Sequence, residues 1–383
     1  MSTTPPQALL PAGISDVLPP DAAVTVATIE RILACFGGHG FERVEPPLIE
    51  FEDGLLAGSG VAMTAHTFRL MDPVSQRMMA VRPDMTLQVA RIATTRLAHW
   101  PRPLRLSYAG PVLRVRGSQR RPERQFGQVG AELIGAHSPD ADVELILMAL
   151  EALAAAGISG LSVDIGLPTL VPALTQALAI GAGADTRLRQ AFDRKDAVAV
   201  AAAAPKGHAG ALLSGLLDAA GPAEEALARL DALDFPPLVA PHLAELGAVA
   251  RRVRAAAPDL PLTVDPVEHR GYEYHTGVTY TFFAPGPGGE IGRGGRYQVG
   301  DGESAEPATG LTLFADALMR ILPDRPKPRR VWVPAGTPSA DAKRLRDEGW
   351  VTVAGLETVA DPAAEARRMR CQAMLTNGRA QPV

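Results

Sequence analysis

Two apolar runs divided by a polar turn organise the chain. Residues 106–135, LSYAGPVLRVRGSQRRPERQFGQVGAELIG, begin and end as strands, and the turn between them holds Arg114, Arg116, Arg120, Arg121 and Arg124. The pattern predicts an antiparallel hairpin. Gln128 and Glu132 stand four apart and so share one face of a pleated strand, with Arg114 opposite them on that side. A guanidinium, an amide and a carboxylate on one face suit a small zwitterion, with Arg114 taking its carboxylate and Glu132 a cationic nitrogen. A solvated hairpin with scattered charges is the competing reading of this stretch alone, because antiparallel sheets often keep one wet face.

Upstream, Asp21 is placed to cap a helix in which Val24, Ala27, Ile32, Leu33 and Phe36 recur at near-helical spacing. Gly37 and Gly38 end it, and residues 41–47 predict a strand stopped by prolines. Residues 67–72 and 77–82 form a second hairpin pattern. The run RPDMT then turns into a helix with Val89, Ile92 and Ala93 on one face. Asp84 and Thr86 stand at its start, where such residues are ordinary caps.

Downstream, residues 140–155 predict a helix and 161–166 a strand. From about 168 to 258 alanine and leucine dominate, with no strand-like run, which predicts a helical insertion. The insertion's Lys206-Gly207-His208 is assigned no chemistry. Strands resume at 262–265 and 278–283, residues 290–297 are glycine-rich, and 311–322 read as a helix. Residues 323–330 form a linker stiffened by prolines. Beyond it, strands at 331–333, 350–354 and 373–376 alternate with helices at 339–349 and 362–370, a βαβαβ module near the lower size limit for independent folding.

A chain of 383 residues with 46% apolar content has room for two domains and a sizeable core. Its net charge of −4 argues against general nucleic-acid binding. Cys35 and Cys371 lie far apart and form neither a CxxC nor a zinc spacing, which fits a reducing compartment. The opening MSTTPPQALLPAG lacks the basic and apolar regions of a signal peptide, and no apolar run of about 18 residues is present. The expectation is a cytoplasmic protein. Gly294-Gly295 allows close backbone approach, but no GxGxxG or GxxxxGK accompanies it, so neither a Rossmann fold nor a P-loop is indicated.

Taken together, the polar clusters resemble histidyl-tRNA synthetase, a class II aminoacyl-tRNA synthetase, over about residues 10–322 outside the insertion. Residues 41–47 resemble that class's first motif, a dimer-interface strand ending in proline. Leu113-Arg114 through Gln125-Phe126-Gly127-Gln128 resemble the second, an antiparallel hairpin. The run RGYEYH, from Arg270 to His275, resembles the histidine-specific loop, and GRGGRY at 292–297 resembles the glycine-rich strand before the third motif. The resemblance implies an α+β fold, a class II synthetase-like antiparallel sheet flanked by helices, with a helical insertion and a small α/β C-terminal module. Its domains would be 1–322 (insertion about 168–258), a linker at 323–330 and the module at 331–383.

The departures from that family fall at its nucleotide site. Arg116 stands where the hairpin has a glutamate used in nucleotide recognition, and Ala317 where the third motif has an arginine that holds an ATP phosphate. An alanine cannot neutralise triphosphate charge, and Arg116 inverts the charge at its own position. The C-terminal module is also shorter than the family's anticodon-binding domain. The amino-acid side is retained. Asp84 and Thr86 match residues that hold the substrate's α-amino group, with aspartate one methylene shorter than the family's glutamate and within reach of the amine through a water. Arg114, Gln128 and Glu132 match the hairpin, and Arg270, Tyr274 and His275 match the specific loop, His275 replacing a tyrosine.

A synthetase-like body with an amino-acid pocket and a dismantled ATP site resembles the ATP phosphoribosyltransferase regulatory subunits. The run RPDMT followed by LQVARI is closer to them than to true synthetases. That resemblance implies no catalytic residues, no cofactor and no metal. The partner would be the short-form ATP phosphoribosyltransferase catalytic subunit, joined by a homodimer of this chain within a hetero-octamer. The chain would activate that subunit and carry feedback inhibition by L-histidine into the first step of histidine biosynthesis, with neither tRNA nor a membrane as partner. Two alternatives stay open: an active histidyl-tRNA synthetase, and an amino-acid-sensing adaptor for another partner.

Overall fold

Strand pairing between distant segments builds the first part of the molecule. The computed structural model describes residues 10–56, 63–117, 121–268, 274–286, 289–300, 302–323 and 328–383. The chain divides into two units, Met1–Leu322 and Pro323–Val383.

In the first unit, α1 (Asp21–Gly38) buries Ile32, Leu33 and Phe36. Pro20 is the residue before it and no side chain caps it, so Asp21 is not the cap. It lies inside the first turn, where the helix dipole still favours its charge. The strand expected over 41–47 shrinks to β1 (Glu42–Arg43), because Pro46 and Pro47 have no N–H to give a ladder. A three-stranded sheet follows in the order β2-β4-β3, made by β2 (Ile49–Phe51), β3 (Arg69–Met71) and β4 (Met78–Val81), with α2 (Glu52–Leu55) after β2. Next come α3 (Thr86–Thr95), β5 (Leu104–Leu113) and β6 (Gln125–Ile134). The last two pair antiparallel, with Leu106 opposite Glu132 and Gly110 opposite Gln128, as the alternation predicts.

Ser138 caps α4 (Pro139–Ala155), accepting from the Asp140 N–H, and β7 (Ser162–Gly166) follows. The insertion consists of α5 (Leu170–Ala177), α6 (Ala182–Asp193), α7 (Ala197–Ala203), α8 (His208–Asp218), α9 (Ala223–Asp231) and α10 (Ala240–Ala256). It is not wholly helical. β8 (Gly221–Pro222) interrupts it and pairs with β9 (Leu262–Asp265), a pairing across the chain that composition cannot register.

The unit closes with β10 (His275–Phe283), β11 (Glu290–Val299), β12 (Glu306–Phe314) and α11 (Ala315–Ile321). The helix expected over 311–322 therefore begins only at Ala315, and 311–314 are strand. β12 lies between β6 and β11 in the nine-stranded order β1-β5-β6-β12-β11-β10-β7-β9-β8. Its residues from Ala308 to Phe314 are all buried, and such a strand carries a continuous apolar run that mimics a helix. Among these pairs β1/β5 and β7/β9 are parallel and the others antiparallel. α1 and α4 pack on each other, α1 against β5 and β6, α4 against β12.

The second unit has β13 (Arg330–Val333), α12 (Ser339–Asp347), β14 (Val351–Ala354), α13 (Pro362–Arg368), β15 (Ala373–Thr376) and β16 (Arg379–Pro382), with strand order β14-β13-β15-β16. The βαβαβ pattern omits β16. Asn377 and Gly378 both adopt positive φ between β15 and β16, the two-residue hairpin turn for which Asn-Gly is the strongest local signal. One apolar cluster gathers Val331, Val333, Leu345, Ala373 and Leu375, and another Trp332, Ala366 and Cys371. Among the described residues no helix is long and apolar enough to cross a membrane.

Candidate functional site

The register of four antiparallel strands composes the site. Residues directly opposite one another share a sheet face, so Glu132, Gly310 and Gly295 form one row across β6, β12 and β11. Tyr108, Gly130, Thr312 and Arg293 form the next row, and Gly110, Gln128 and Phe314 the third. Over this face opens a cleft of about 510 Å³, within the roughly 300–1,000 Å³ of small-molecule sites. Gly310 makes room for it, because a Cβ there would overlap a carboxylate oxygen of Glu132.

Glu132 is 1% exposed. Its carboxyl accepts from the Tyr108 hydroxyl at 3.0 Å and the Tyr297 hydroxyl at 2.7 Å. Burial pushes its pKa up to about 8, against the opposing pull of the Tyr297, Tyr108 and Thr86 hydroxyls. Burial thus favours its protonated form near neutral pH. Tyr108 also meets Thr86 Oγ1 at 3.1 Å and Thr312 Oγ1 at 2.9 Å, closing a buried polar cage around the carboxyl.

Gln128 ties the hairpin to the start of α3. Its carbonyl accepts from the Met85 N–H at 3.0 Å, and its amide donates to Asp84 Oδ2 at 2.7 Å. Asp84 Oδ1 in turn accepts from the Thr86 N–H at 2.9 Å. Arg82 braces the same segment through the carbonyls of Pro111 and Pro46, both at 2.8 Å. Arg114 donates to the Pro83 carbonyl at 3.1 Å and lies 3.6 Å from Asp84 Oδ2. Its guanidinium is thus held between α3 and the hairpin with its charge beside the cleft.

Asp84, Thr86, Arg114, Gln128, Glu132, Tyr274 and His275 all line this one cleft. Tyr274 and His275 lie ring on ring at 4.2 Å, and Tyr274 meets Tyr297 edge-on at 6.1 Å. Arg270 and Arg120 lie outside the described residues.

The other half of the cleft is occupied by the chain's own charges. Arg121 lies 3.4 Å over the Phe314 ring and 5.2 Å from the Phe126 ring, so a guanidinium covers the aromatic surface on which a flat ligand would stack. Arg320 donates to Glu123 at 2.7 Å and to Asp316 at 3.0 Å. Ala317 is 3% exposed, packed in the core rather than facing the cleft, while Arg116 does line it. The sequence pattern alone does not single out Tyr108, Tyr297, Thr312, Arg121 or Arg320. Arg121 and Tyr297 fall within runs that the sequence does mark, the arginine-rich turn and GRGGRY, but nothing local assigns any of the five to the cleft.

The model of the histidyl-tRNA synthetase family matches residues 13–318. An ATP phosphoribosyltransferase regulatory subunit of Rhodospirillum centenum is 54% identical over 380 residues, covering 99% of this chain and 97% of that protein. A crystal structure titled as an ATP phosphoribosyltransferase regulatory subunit/histidyl-tRNA synthetase from Bacillus halodurans superposes with a TM-score of 0.83 at 24% identity, covering 98% of this chain and 99% of that one. A chain of the ATP phosphoribosyl transferase complex from Thermotoga maritima gives 0.57 at 16% identity, covering 76% and 97%. These two structures share the fold.

Proposed function

The chain belongs to the histidyl-tRNA synthetase family and, within it, to the ATP phosphoribosyltransferase regulatory subunits; from that premise we propose that it is a non-catalytic L-histidine sensor for a short-form catalytic subunit. It joins that subunit as a homodimer within a hetero-octamer, activates it, and turns it down when histidine fills the cleft, in the first step of histidine biosynthesis.

One contrast within the cleft carries this reading. The amino-acid end keeps Asp84, Thr86, Arg114 and Glu132 around an open space, whereas the nucleotide end is spanned by Arg121 on Phe314 and the Arg320–Glu123–Asp316 ion pairs. Arg114 takes the histidine carboxylate, Asp84 and Thr86 the α-amino group, and Glu132 a ring or amino nitrogen. Gln128 acts chiefly by holding Asp84 and Met85 in place. Tyr274 and His275, at the start of β10, close the side of the ligand, and the resemblance adds Arg270 as a third contact. An ATP tail bent for in-line attack needs cations free to meet it. Among the described cations at that end, Arg320 is already paired with carboxylates.

Histidine would touch the hairpin, the α3 start and the loop together, so occupancy favours whichever relative arrangement of the three binds it better. Mixing the purified chain with a short-form catalytic subunit tests this directly. Phosphoribosyl transfer should rise on mixing and fall on adding histidine, while the chain alone should give no histidine-dependent ATP–pyrophosphate exchange. Exchange by the chain alone would replace this reading with that of an active synthetase. Histidine binding with no effect on the transferase would favour an adaptor for another partner.

A further inference from the structure

On α1 and α4, which contribute no residue to the cleft lining, three unlike metal-ligating side chains converge. Cys35 lies in the last turn of α1, and His39 ends that helix, its backbone N–H bonded to the Cys35 and Phe36 carbonyls. Glu151 comes from α4, which packs against α1. The His39 Nε2 and Glu151 Oε2 atoms are 2.9 Å apart, and the ligand atoms of all three residues lie within 4.8 Å of one another.

We propose that Cys35, His39 and Glu151 form a binding site for a zinc ion, with water as the fourth ligand. Zinc bonds of about 2.0–2.3 Å place tetrahedral ligand atoms roughly 3.3–3.7 Å apart. The His39–Glu151 spacing of 2.9 Å falls just short of that range and the thiol lies within 4.8 Å of both partners, and the Glu151 side chain, 64% exposed, has room to make the adjustment. Two of the ligands sit on the last turn of one helix, four residues apart and so on one face. A thiolate and an imidazole select zinc over magnesium or calcium, which take oxygen ligands. Thiolate and carboxylate together would neutralise the dication. Without metal, burial and the Glu151 carboxylate both push the Cys35 thiol upward; a bound zinc would reverse that balance and release the thiol proton. The competing description is a surface His39–Glu151 ion pair, worth about 1 kcal/mol or less, with the Cys35 thiol hydrogen-bonded to the same carboxylate.

Cobalt titration of the chelator-treated full chain separates the two. The site predicts one cobalt per chain, tetrahedral visible bands, a thiolate-to-cobalt charge-transfer band in the near ultraviolet, and displacement by zinc. Cys35→Ser should abolish the charge-transfer band. In chelator competition, Cys35→Ser, His39→Ala and Glu151→Gln should each weaken zinc by at least the ~10–100-fold that loss of an outer-shell partner costs. All three positions are at least partly exposed, so metal-free melting curves should match the parent and certify the fold. A charge-transfer band that survives in Cys35→Ser, zinc affinity unchanged in any one of the variants, or no binding at all overturns the assignment. None of these outcomes bears on histidine binding in the cleft.

Discussion

Glu132 is a carboxyl whose environment decides its charge. Its folded pKa of about 8 stands above the ordinary 4.5. Between those values the folded chain keeps a proton that the unfolded chain has released, so stability falls as pH rises through the window. Glu132→Gln removes the titrating group, and urea denaturation at pH 5 and pH 8 should show a smaller loss than in the parent. The same carboxyl gives binding a signature. A histidine cation that meets it expels its proton, so calorimetry at pH 7 in buffers of different ionisation enthalpy should report proton release, and Glu132→Gln should abolish it. In the proposed pose Arg114 is the matching cation. Its truncation leaves the ligand carboxylate unpaired and Asp84 without its neighbour at 3.6 Å. Arg114→Ala should therefore weaken histidine by about 2–5 kcal/mol, and unchanged affinity in calorimetry would remove it from the site.

Strands β6, β11 and β12 hold these groups in register, and two substitutions test them as elements. Gly310 faces Glu132 across the β6–β12 pair, and its missing Cβ is the space that the carboxyl fills. Gly310→Ala should displace Glu132 and abolish histidine binding while leaving far-ultraviolet circular dichroism unchanged. Arg296 of β11 joins the sheet to two helices, at 2.7 Å from Asp142 of α4 and 2.8 Å from Glu245 of α10. Burial still pushes Asp142 up to about 6, outweighing the guanidinium. Arg296→Met leaves a fully buried carboxyl without its cation and should cost about 3–5 kcal/mol in chemical denaturation. A small loss would mean that this link is peripheral.

At the scale of the whole molecule, the proposed regulation would be a coupling between the cleft and a partner's active site. A coupling of about 1–3 kcal/mol changes affinity by roughly 5–150-fold. If inhibition acts through substrate affinity, histidine should bind the assembled complex more weakly with the transferase substrates bound than without them by that factor, and equal affinities would place the inhibition in the catalytic step instead. How much of this was legible before the structure follows from locality. Period-two alternation in 106–135 put Arg114, Gln128 and Glu132 on one face, because a strand's faces depend only on its own residues. Alanine-rich composition marked the insertion, and Asp84-Met85-Thr86 announced a helix start, for the same reason. The Tyr108–Tyr297–Thr312 cage, the strand at 311–314, the stacking of Arg121 on Phe314 and the meeting of His39 with a glutamate 112 residues away had no local signal. Each requires knowing that β12 slides between β6 and β11 or that α1 lies on α4. Such neighbours are chosen by burial and pairing over the whole unit. The chain by itself determined which groups were available and which way each strand would point them. Only the tertiary structure decided which of them met, and thereby that burial raises the pKa of Glu132 and that Arg121 covers the Phe314 ring in the cleft.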